Sequence, residues 1–246
     1  SITGWMNNPS VTFNRDNMKD CAQLVLSTNK KVAKMIGINP AARTTCVKPS
    51  GNASVKLGVA SGIHGEHSPR YIRNVQLTKN SEVAQLLMKH NKEIWEESVW
   101  SKNGTDVVIS FPTVSKEGSI YKSDLLGVKQ LEYVKEAQQY WVEYGTDTSL
   151  CVDPTIRHNV SNTIVVDDWD EVEEYVYQNR AYFAGISFLG MSGDKDYAQA
   201  PFTDILTPTQ LVDKYGDAAM FASGLLVDGL SAFNKDLWLA SSTCLG

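Results

Sequence analysis

The amino-acid sequence predicts an α/β fold in which short strands alternate with amphipathic helices. Along most of the 246 residues, β-branched segments are followed by stretches whose apolar residues recur at helical spacing. Hydrophobic residues make up 42% of the chain, which is enough to build one large core. No internal repeat or linker interrupts the pattern, so residues 1–246 are predicted to form a single domain. Strand–helix alternation is typical of an α/β sheet or barrel, where function is usually located at the carboxyl ends of strands.

The first half of the chain carries well-defined elements. Apolar residues at helical spacing predict a helix over Asp16–Ile36, and Gly37 provides a stop. Ser81–Trp95 predicts a second helix, with Ser81 as its N-cap. Three β-branched or alternating segments predict strands: Arg43–Lys48, Tyr71–Leu77 and Asp106–Phe111.

The second half continues the alternation. Four helices are predicted, at Asp124–Tyr144 before Gly145, at Asp167–Arg180, at Thr209–Lys214 and at Asp217–Asn234. Two strands are predicted, at Val160–Val166 and, as a buried strand, at Ala184–Gly190. One barrel-like sheet is expected to contain the segments Thr44–Lys48, Val107–Phe111, Val160–Val166 and Ile186–Leu189.

Charge and cysteine content narrow the class of protein. A net charge of -5 and a pI near 5.4 argue against a general nucleic-acid or membrane-surface binder, although one anionic small molecule remains compatible. No apolar run is long enough to cross a bilayer, and a cytoplasmic location is predicted. The four cysteines are scattered and predict reduced thiols, with Cys21 and Cys46 as small core residues.

The segment "KPSGNAS", Lys48–Ser54, follows a predicted strand and is rich in small residues. Small residues let backbone amides approach a ligand closely, so this loop is a candidate anion-binding nest with Ser50, Asn52 and Ser54 as side-chain donors. A tight turn after an edge strand is the alternative. The segment is not a Walker loop, because Lys48 precedes the turn instead of following it.

Two histidines follow in "GIHGEH". His64 and His67 are three residues apart with Glu66 between them, a spacing compatible with a metal pair. No third ligand is evident nearby in the sequence, so hydrogen-bonded loop histidines are predicted and no metal site is assigned.

Several segments together resemble one enzyme family. "VKPSGNASVKLGVASGIHGEHSPRYIRNVQL" is similar to the KPSGT...GxHxxxxxxYIRRV segment of adenosylcobalamin-dependent, class II ribonucleotide reductases, in particular the ribonucleoside triphosphate reductase branch. "SITGWMNNP", "RHNVSNTIVV" and "AGISFLGMSGDKDYAQAPFTDI" resemble the same family in the same order. This resemblance implies that the chain is the carboxyl-terminal part of a ten-stranded α/β barrel.

The resemblance also implies a set of site residues. The loop that grips the substrate's phosphates would comprise Pro49, Ser50, Gly51, Asn52, Ala53 and Ser54. Possible active-site neighbours would be Lys48, His64 and Arg73. Asn52 stands where the family usually has Thr, and its amide group can still donate to a phosphate oxygen. Asn74 stands where a second Arg is common, which leaves Arg73 alone to carry that charge.

The implied reaction replaces the ribose 2'-hydroxyl with hydrogen. In the family, adenosylcobalamin initiates a thiyl radical on a finger-loop cysteine, and the protein supplies positioning and phosphate binding. The implied partners are a ribonucleoside tri- or diphosphate substrate, an amino-terminal half that bears the radical cysteine, and a thiol reductant such as thioredoxin. No membrane or direct nucleic-acid partner is implied.

The radical cysteine is not recognisable in these 246 residues. The family pattern N-L-C-x-E places Glu two positions after the cysteine, whereas the corresponding positions here hold Gln23, Lys48, Asp153 and Gly246. No catalytic residue is therefore assigned, and the chain is expected to be a fragment that is inactive by itself. The alternative is a non-catalytic nucleotide-binding or assembly module derived from the same fold.

Overall fold

A computed structural model describes residues 1–51, 53–90, 94–191, 197–204, 209 and 213. The chain divides into two compact units, and each is described by itself. The first unit comprises Ser1–Pro69 and Ser115–Gly193, and the second comprises Arg70–Val114 and Asp194–Gly246. Asn52, Cys244 and the helix predicted over Asp217–Asn234 lie outside the described residues, as does most of the helix predicted over Thr209–Lys214.

The described helices and strands alternate along much of the chain, which confirms the mixed α/β class. The helices are α1 (Pro9–Thr12), α2 (Arg15–Ile36), α3 (Ala53–Leu57), α4 (Glu82–His90), α5 (Gly127–Ala137) and α6 (Trp169–Gln178). The strands are β1 (Arg70–Thr78), β2 (Trp95–Glu97), β3 (Asp106–Val114), β4 (Thr163–Val166), β5 (Ser187–Gly190) and β6 (Phe202–Asp204). Short 3₁₀ turns lie at Trp5–Asn7, Lys122–Asp124, Thr148–Leu150 and Arg180–Tyr182.

Helix α2 confirms the predicted first helix. The Asn14 side chain accepts a hydrogen bond from the Asn17 amide at 3.0 Å, which caps the N-terminus. Gly37 ends the helix with φ 73°, a left-handed conformation that glycine adopts without steric cost. Cys21 is exposed on this helix, so its prediction as a core residue is wrong, because the buried face is formed by neighbours such as Met18 and Ala22.

The segment Arg43–Lys48 is extended but is not the regular strand that was predicted. Arg43 and Val47 form isolated bridges with Thr146 and Val160. The Thr44 amide donates to the Gly145 carbonyl at 2.9 Å. The segment thus takes its partners from a loop and a helix end, and neither partner is long enough to extend a ladder.

The helix predicted over Asp124–Tyr144 is shorter and changes its winding. Helix α5 continues into a π-helical turn, Gln138–Val142, and the chain turns at Gly145. The Trp141 and Val142 carbonyls of that turn accept hydrogen bonds from the buried Thr45 hydroxyl at 2.8 and 3.2 Å. The widened turn thereby anchors the Arg43–Lys48 segment.

Strands β4 and β5 pair in parallel and are connected through α6. Asp168 caps α6 by accepting from the amides of Asp170 and Glu171 at 3.0 and 3.1 Å. The predicted burial of the second strand is wrong, since Phe188 and Leu189 are 40% and 48% exposed. An apolar strand is buried only where other elements cover its faces, and the described residues leave this strand largely uncovered.

The core of the first unit connects its helices to the parallel strands. Trp5, Met6 and Ile63 bring the opening segment and the following loop region into this core. The other buried members are Met18, Ala22, Val47, Leu125, Leu131, Val134, Ala137, Trp141, Val142, Val160, Ile164, Val166 and Val172.

The second unit contains a four-stranded sheet in the order β2-β3-β1-β6. All of its described pairings are antiparallel, and β1 and β3 confirm two predicted strands. Helix α4 is shorter than predicted, because Trp95 belongs to β2. Helix α4 packs on the sheet through a small core of buried residues: Ala84, Leu87, Ile94, Val107 and Ile109.

The prediction that four segments share one sheet is wrong. Val107–Phe111 lies in the antiparallel sheet of the second unit, whereas β4 and β5 form a separate parallel pair in the first. The described residues form sheets of four and two strands, and a ten-stranded barrel is not shown among them. Strand–helix alternation predicts that strands exist, but it leaves their direction and their partners open.

We predict that Gly145→Ala destabilises the protein. A Cβ atom at this position would lie 1.9 Å from the Oγ1 atom of Thr45, whose side chain is buried and already hydrogen-bonded to the π-helical turn. The free energy of unfolding should fall by about 1–3 kcal/mol, measured by urea denaturation. Gly185→Ala is the matched control, because its nearest atom would be 3.5 Å away. Equal stabilities of the two variants would contradict the packing described here.

Candidate functional site

The last two residues of the loop Pro49–Ser54 are the first two residues of helix α3. Gly51 and Ala53 are exposed, Ser50 is half-buried, and Ser54 is buried. An added Cβ at Gly51 would meet no atom within 4 Å, so space is open on that side of the main chain. Among the described loop residues, Pro49, Gly51 and Ala53 are therefore accessible, and the main chain is open at Gly51.

Ser50 is the centre of the loop's internal hydrogen bonds. Its amide donates to the Ser61 hydroxyl at 2.8 Å, and the Ser61 hydroxyl donates back to the Ser50 carbonyl at 3.1 Å. The Ser54 amide donates to the Ser50 hydroxyl at 3.2 Å, and the Ser54 hydroxyl donates to the Ser50 carbonyl at 2.7 Å. In this arrangement the polar groups of Ser50 and Ser54 hold the loop in shape.

The opening segment of the chain supports the loop from outside. The Thr3 hydroxyl lies 2.8 Å from the Ser50 hydroxyl, donates to the Ala60 carbonyl at 3.1 Å, and accepts from the Gly62 amide at 3.0 Å. The Gly4 amide also donates to the Ala60 carbonyl, at 3.0 Å. Thr3 and Ser61 were not identified from the sequence as site residues, although both lie within the motifs that carry the family resemblance.

Gly62 allows two stretches of main chain to lie close together. Its φ is +57°, and a Cβ there would lie 3.0 Å from the Lys48 carbonyl oxygen and 3.3 Å from the Cα of Pro49. A larger residue would press on the backbone at the start of the loop, in a conformation that side chains disfavour. Gly62 is therefore a structural support of the loop, in contrast to the open position at Gly51.

His64 connects the loop region to strand β4. Its Nδ1 lies 3.0 Å from the Ser61 carbonyl, and its Nε2 accepts from the Thr163 amide at 3.2 Å. These partners require a neutral ring with the proton on Nδ1. Burial lowers the pKa of His64, the hydrogen bond to Ser61 opposes this, and the charge of Lys122 lowers the pKa further. The prediction of a hydrogen-bonded loop histidine is confirmed for His64.

Asn7 ties the opening segment to the region after the loop. Its side-chain oxygen accepts from the Ala60 amide at 2.8 Å, and its side-chain nitrogen donates to Glu66 at 2.6 Å and to Ser119 at 3.0 Å. Asn7, Glu66 and Ser119 are all buried. Buried polar groups with satisfied hydrogen bonds specify one arrangement, so the two segments are held in a single register.

The later motif "RHNVSNTIVV" joins the same assembly. The Ser161 amide donates to the Val47 carbonyl at 2.9 Å, and the Val47 amide donates to the Asn159 carbonyl at 3.3 Å. The His158 ring lies 2.9 Å from the Thr45 carbonyl through Nδ1. The first unit therefore brings together three segments that are far apart in sequence: the opening segment, the loop region and the segment that leads into β4.

The remaining predicted neighbours are placed less centrally. Lys48 is exposed beside the loop, and its amide donates to the Ser1 hydroxyl at 3.1 Å. Arg73 belongs to the second unit, where its guanidinium lies 5.3 Å from the ring centre of Phe202. Asn74, in place of the family's second Arg, donates to the Ala200 carbonyl at 2.7 Å. The roles of Lys48, His64 and Arg73 as active-site neighbours stay predictions.

Two open cavities in the first unit do not include the loop. One, of about 690 Å³, lies along the outer side of α5 and includes Lys129, Glu132 and Tyr175. The other, of about 750 Å³, lies between α6 and Phe188. Among the described residues, no group of three or more His, Cys, Asp and Glu side chains could hold a metal ion. None of the described helices combines the length and apolar character required to span a membrane.

A solved structure shares this fold. The crystal structure of a B12-dependent (class II) ribonucleotide reductase matches with a TM-score of 0.66 at 18% sequence identity. The match covers 90% of this chain and 29% of that chain. The chain thus has the fold of part of a class II ribonucleotide reductase, and no family model matches the sequence.

The names of curated relatives also specify the cofactor and the triphosphate substrate of those proteins. The chain is similar to the probable adenosylcobalamin-dependent ribonucleoside-triphosphate reductase of Dictyostelium discoideum, with 23% identity over 74% of this chain and 23% of that protein. The Euglena gracilis reductase is also 23% identical, over 71% of this chain and 22% of that protein. The reductase of Lactobacillus helveticus is 24% identical over 57% of this chain and 18% of its own length.

These relatives confirm the resemblance predicted from the motifs. The chain spans about a fifth to a quarter of the length of the curated relatives it matches. The activity, substrates and partners of a whole reductase therefore enter as proposals.

We predict that His64 makes stability depend on pH below about 6.5. Because the folded pKa is lowered from 6.5, the unfolded chain takes up a proton first as the pH falls. Stability that is fully present above pH 6.5 should then be lost as the pH falls through the folded pKa. Urea denaturation at a series of pH values measures this, and His64→Gln should flatten the slope in that window. Identical slopes for parent and variant would exclude this role.

Proposed function

We propose that this chain is part of an adenosylcobalamin-dependent ribonucleoside-triphosphate reductase and that residues 49–54 bind the phosphates of its substrate. The observation that carries the proposal is a loop held in shape by its own hydrogen bonds, with open space beside the main chain at Gly51. Ser50 and Ser54 use their polar groups inside the loop, while Gly51 faces free space. The motif resemblance, the reductase relatives and the shared fold support the same assignment.

The geometry favours main-chain amides for binding the phosphate and the serine side chains for maintaining the shape of the loop. Main-chain amides near the exposed Gly51 and Ala53 are the groups that a phosphate can approach, because the Ser54 hydroxyl is buried and donates to Ser50. A rigid set of amides binds anions well, since little conformational entropy is lost on binding. Lys48 is exposed next to the loop and can add a positive charge. The negative total charge does not conflict with this, because one phosphate site needs only local donors.

The cofactor is proposed for the complete enzyme. Adenosylcobalamin would supply the radical that starts the replacement of the ribose 2'-hydroxyl. The contribution of this chain is to hold and orient the substrate's phosphates.

The proposed partners follow from the same reasoning. The substrate is a ribonucleoside triphosphate, in agreement with the names of the relatives. The remainder of the reductase would supply the radical cysteine, because none of the four cysteines here has Glu two positions later. A dithiol reductant of the thioredoxin type would return the oxidised cysteines to the thiol state after each turnover.

We predict that the 246-residue chain, given adenosylcobalamin and a dithiol, forms no deoxynucleotide. Addition or co-expression of a polypeptide with the remaining reductase sequence should restore turnover, because the radical cysteine would then be present. Chromatographic detection of deoxynucleoside triphosphates measures both arms. Deoxynucleotide formation by the chain without the second polypeptide would contradict the proposal. Nucleotide binding with no turnover in the reassembled complex would favour a non-catalytic nucleotide-binding module.

We predict that Gly51→Val weakens substrate binding without unfolding the protein. The new side chain would extend into the open space over the loop and block a phosphate, and its Cβ would have no atom within 4 Å. In the reassembled reductase, the KM for the nucleotide should rise by about tenfold or more at an unchanged melting temperature. Gly51→Ala should give a smaller rise. Unchanged KM in both variants would show that the loop is an ordinary turn.

A further inference from the structure

The Thr3 hydroxyl occupies a position that links three stretches of main chain. It lies 2.8 Å from the Ser50 hydroxyl, 3.1 Å from the Ala60 carbonyl and 3.0 Å from the Gly62 amide. Gly62 itself packs against the backbone at Lys48 and Pro49. Thr3 is therefore the contact through which the opening segment touches the centre of the loop.

The hydrogen bonds can be assigned a direction by counting protons. A hydroxyl has one proton and two acceptor positions. The Thr3 hydroxyl accepts a hydrogen bond from the Gly62 amide and donates one to the Ala60 carbonyl. Its second acceptor position therefore accepts from the Ser50 hydroxyl. Ser50 in turn accepts from the Ser54 amide. One chain of hydrogen bonds, called the relay below, therefore runs from the Ser54 amide through the Ser50 and Thr3 hydroxyls to the Ala60 carbonyl.

We infer that Thr3 is a positioning residue for phosphate binding, an inference that rests on the proposed function of the loop. Thr3 accepts the hydrogen bond that the Ser50 hydroxyl donates, so Ser50 stabilises the loop and is not available to donate to the ligand. The exposed amides near Gly51 are thereby held ready for an anion before it arrives. A loop ordered in advance binds more tightly than one that must be ordered on binding.

Loss of the Thr3 hydroxyl has a defined consequence. Thr3→Val keeps the shape of the side chain but leaves the Gly62 amide and the Ser50 hydroxyl without their shared partner. The loop then loses the hydrogen bond that links Ser50 to the opening segment, and part of its order must be regained when a phosphate binds. Thr3→Ser keeps the hydroxyl and should preserve the relay.

The matched control is Thr12→Val. The Thr12 hydroxyl also supports the opening segment, by donating to the Trp5 carbonyl at 2.6 Å, but no described contact connects it to the loop. Thr12→Val thus removes a threonine hydroxyl that helps to hold the same segment and leaves the relay intact. A comparison of the two valine variants separates a general loss of stability from a loss of loop positioning.

The test uses the reductase reassembled from this chain and the remaining polypeptide. Equilibrium binding of a radiolabelled ribonucleoside triphosphate and steady-state kinetics are measured for each variant. Thr3→Val should weaken binding and raise KM by about tenfold, with kcat changed by less than about threefold. Thr3→Ser should restore both values to within about twofold of the parent, and Thr12→Val should leave both unchanged even where its melting temperature falls.

Three results would overturn the inference about Thr3. Thr3→Val could match Thr12→Val in KM, Thr3→Ser could fail to restore binding, or Thr3→Val could bind the nucleotide more tightly because Ser50 is released to donate to the phosphate. If Gly51→Val raises KM in the same assay, the loop still binds phosphate and only the role of Thr3 is lost. If neither Gly51→Val nor Thr3→Val changes KM, the proposed function of the loop itself is wrong.

Discussion

The candidate site depends on one set of contacts, the hydrogen bonds between the opening segment and the region just after the loop. The Gly4 amide and the Thr3 hydroxyl both donate to the Ala60 carbonyl, and Asn7 accepts from the Ala60 amide. Trp5 and Met6 lie between these polar contacts and are almost completely buried. Because the polar contacts flank an apolar anchor, the opening segment cannot shift without exposing core side chains or leaving buried amides unpaired.

This anchoring explains how a loop of small residues can be well defined. Glycine and serine have little side-chain surface to bury, so the loop cannot be held by packing alone. Its shape comes from hydrogen bonds between Ser50 and Ser54 within the loop, and from hydrogen bonds of Ser50 with Thr3 and Ser61 outside it. Among the described residues of the loop, Pro49, Gly51 and Ala53 are exposed. An anion site made from backbone amides needs this division, because the groups that maintain the shape are not available to bind.

The same physical limits account for the predictions that were wrong. Arg43–Lys48 has the composition of a strand, but its partners are the short 145–146 and 159–161 segments. The apolar residues of β5 predicted a buried strand, yet Phe188 and Leu189 are partly exposed, since few described residues lie against them. Cys21 follows the apolar spacing of α2 but lies just outside its buried face. Each error concerns what lies next to a segment, which is a property of the whole fold.

The sequence by itself determined the α/β class, most helix and strand positions, the candidate loop and the resemblance to class II ribonucleotide reductases. These features depend on local spacing, on turn residues such as Gly37 and on motif order, all of which can be read along the chain. Only the tertiary structure decided which strands pair, that β1 and β3 are antiparallel, and that Thr3 contacts Ser50 across 47 positions. Hydrogen-bond direction and burial depend on neighbours that are distant in sequence, and no local pattern encodes those neighbours.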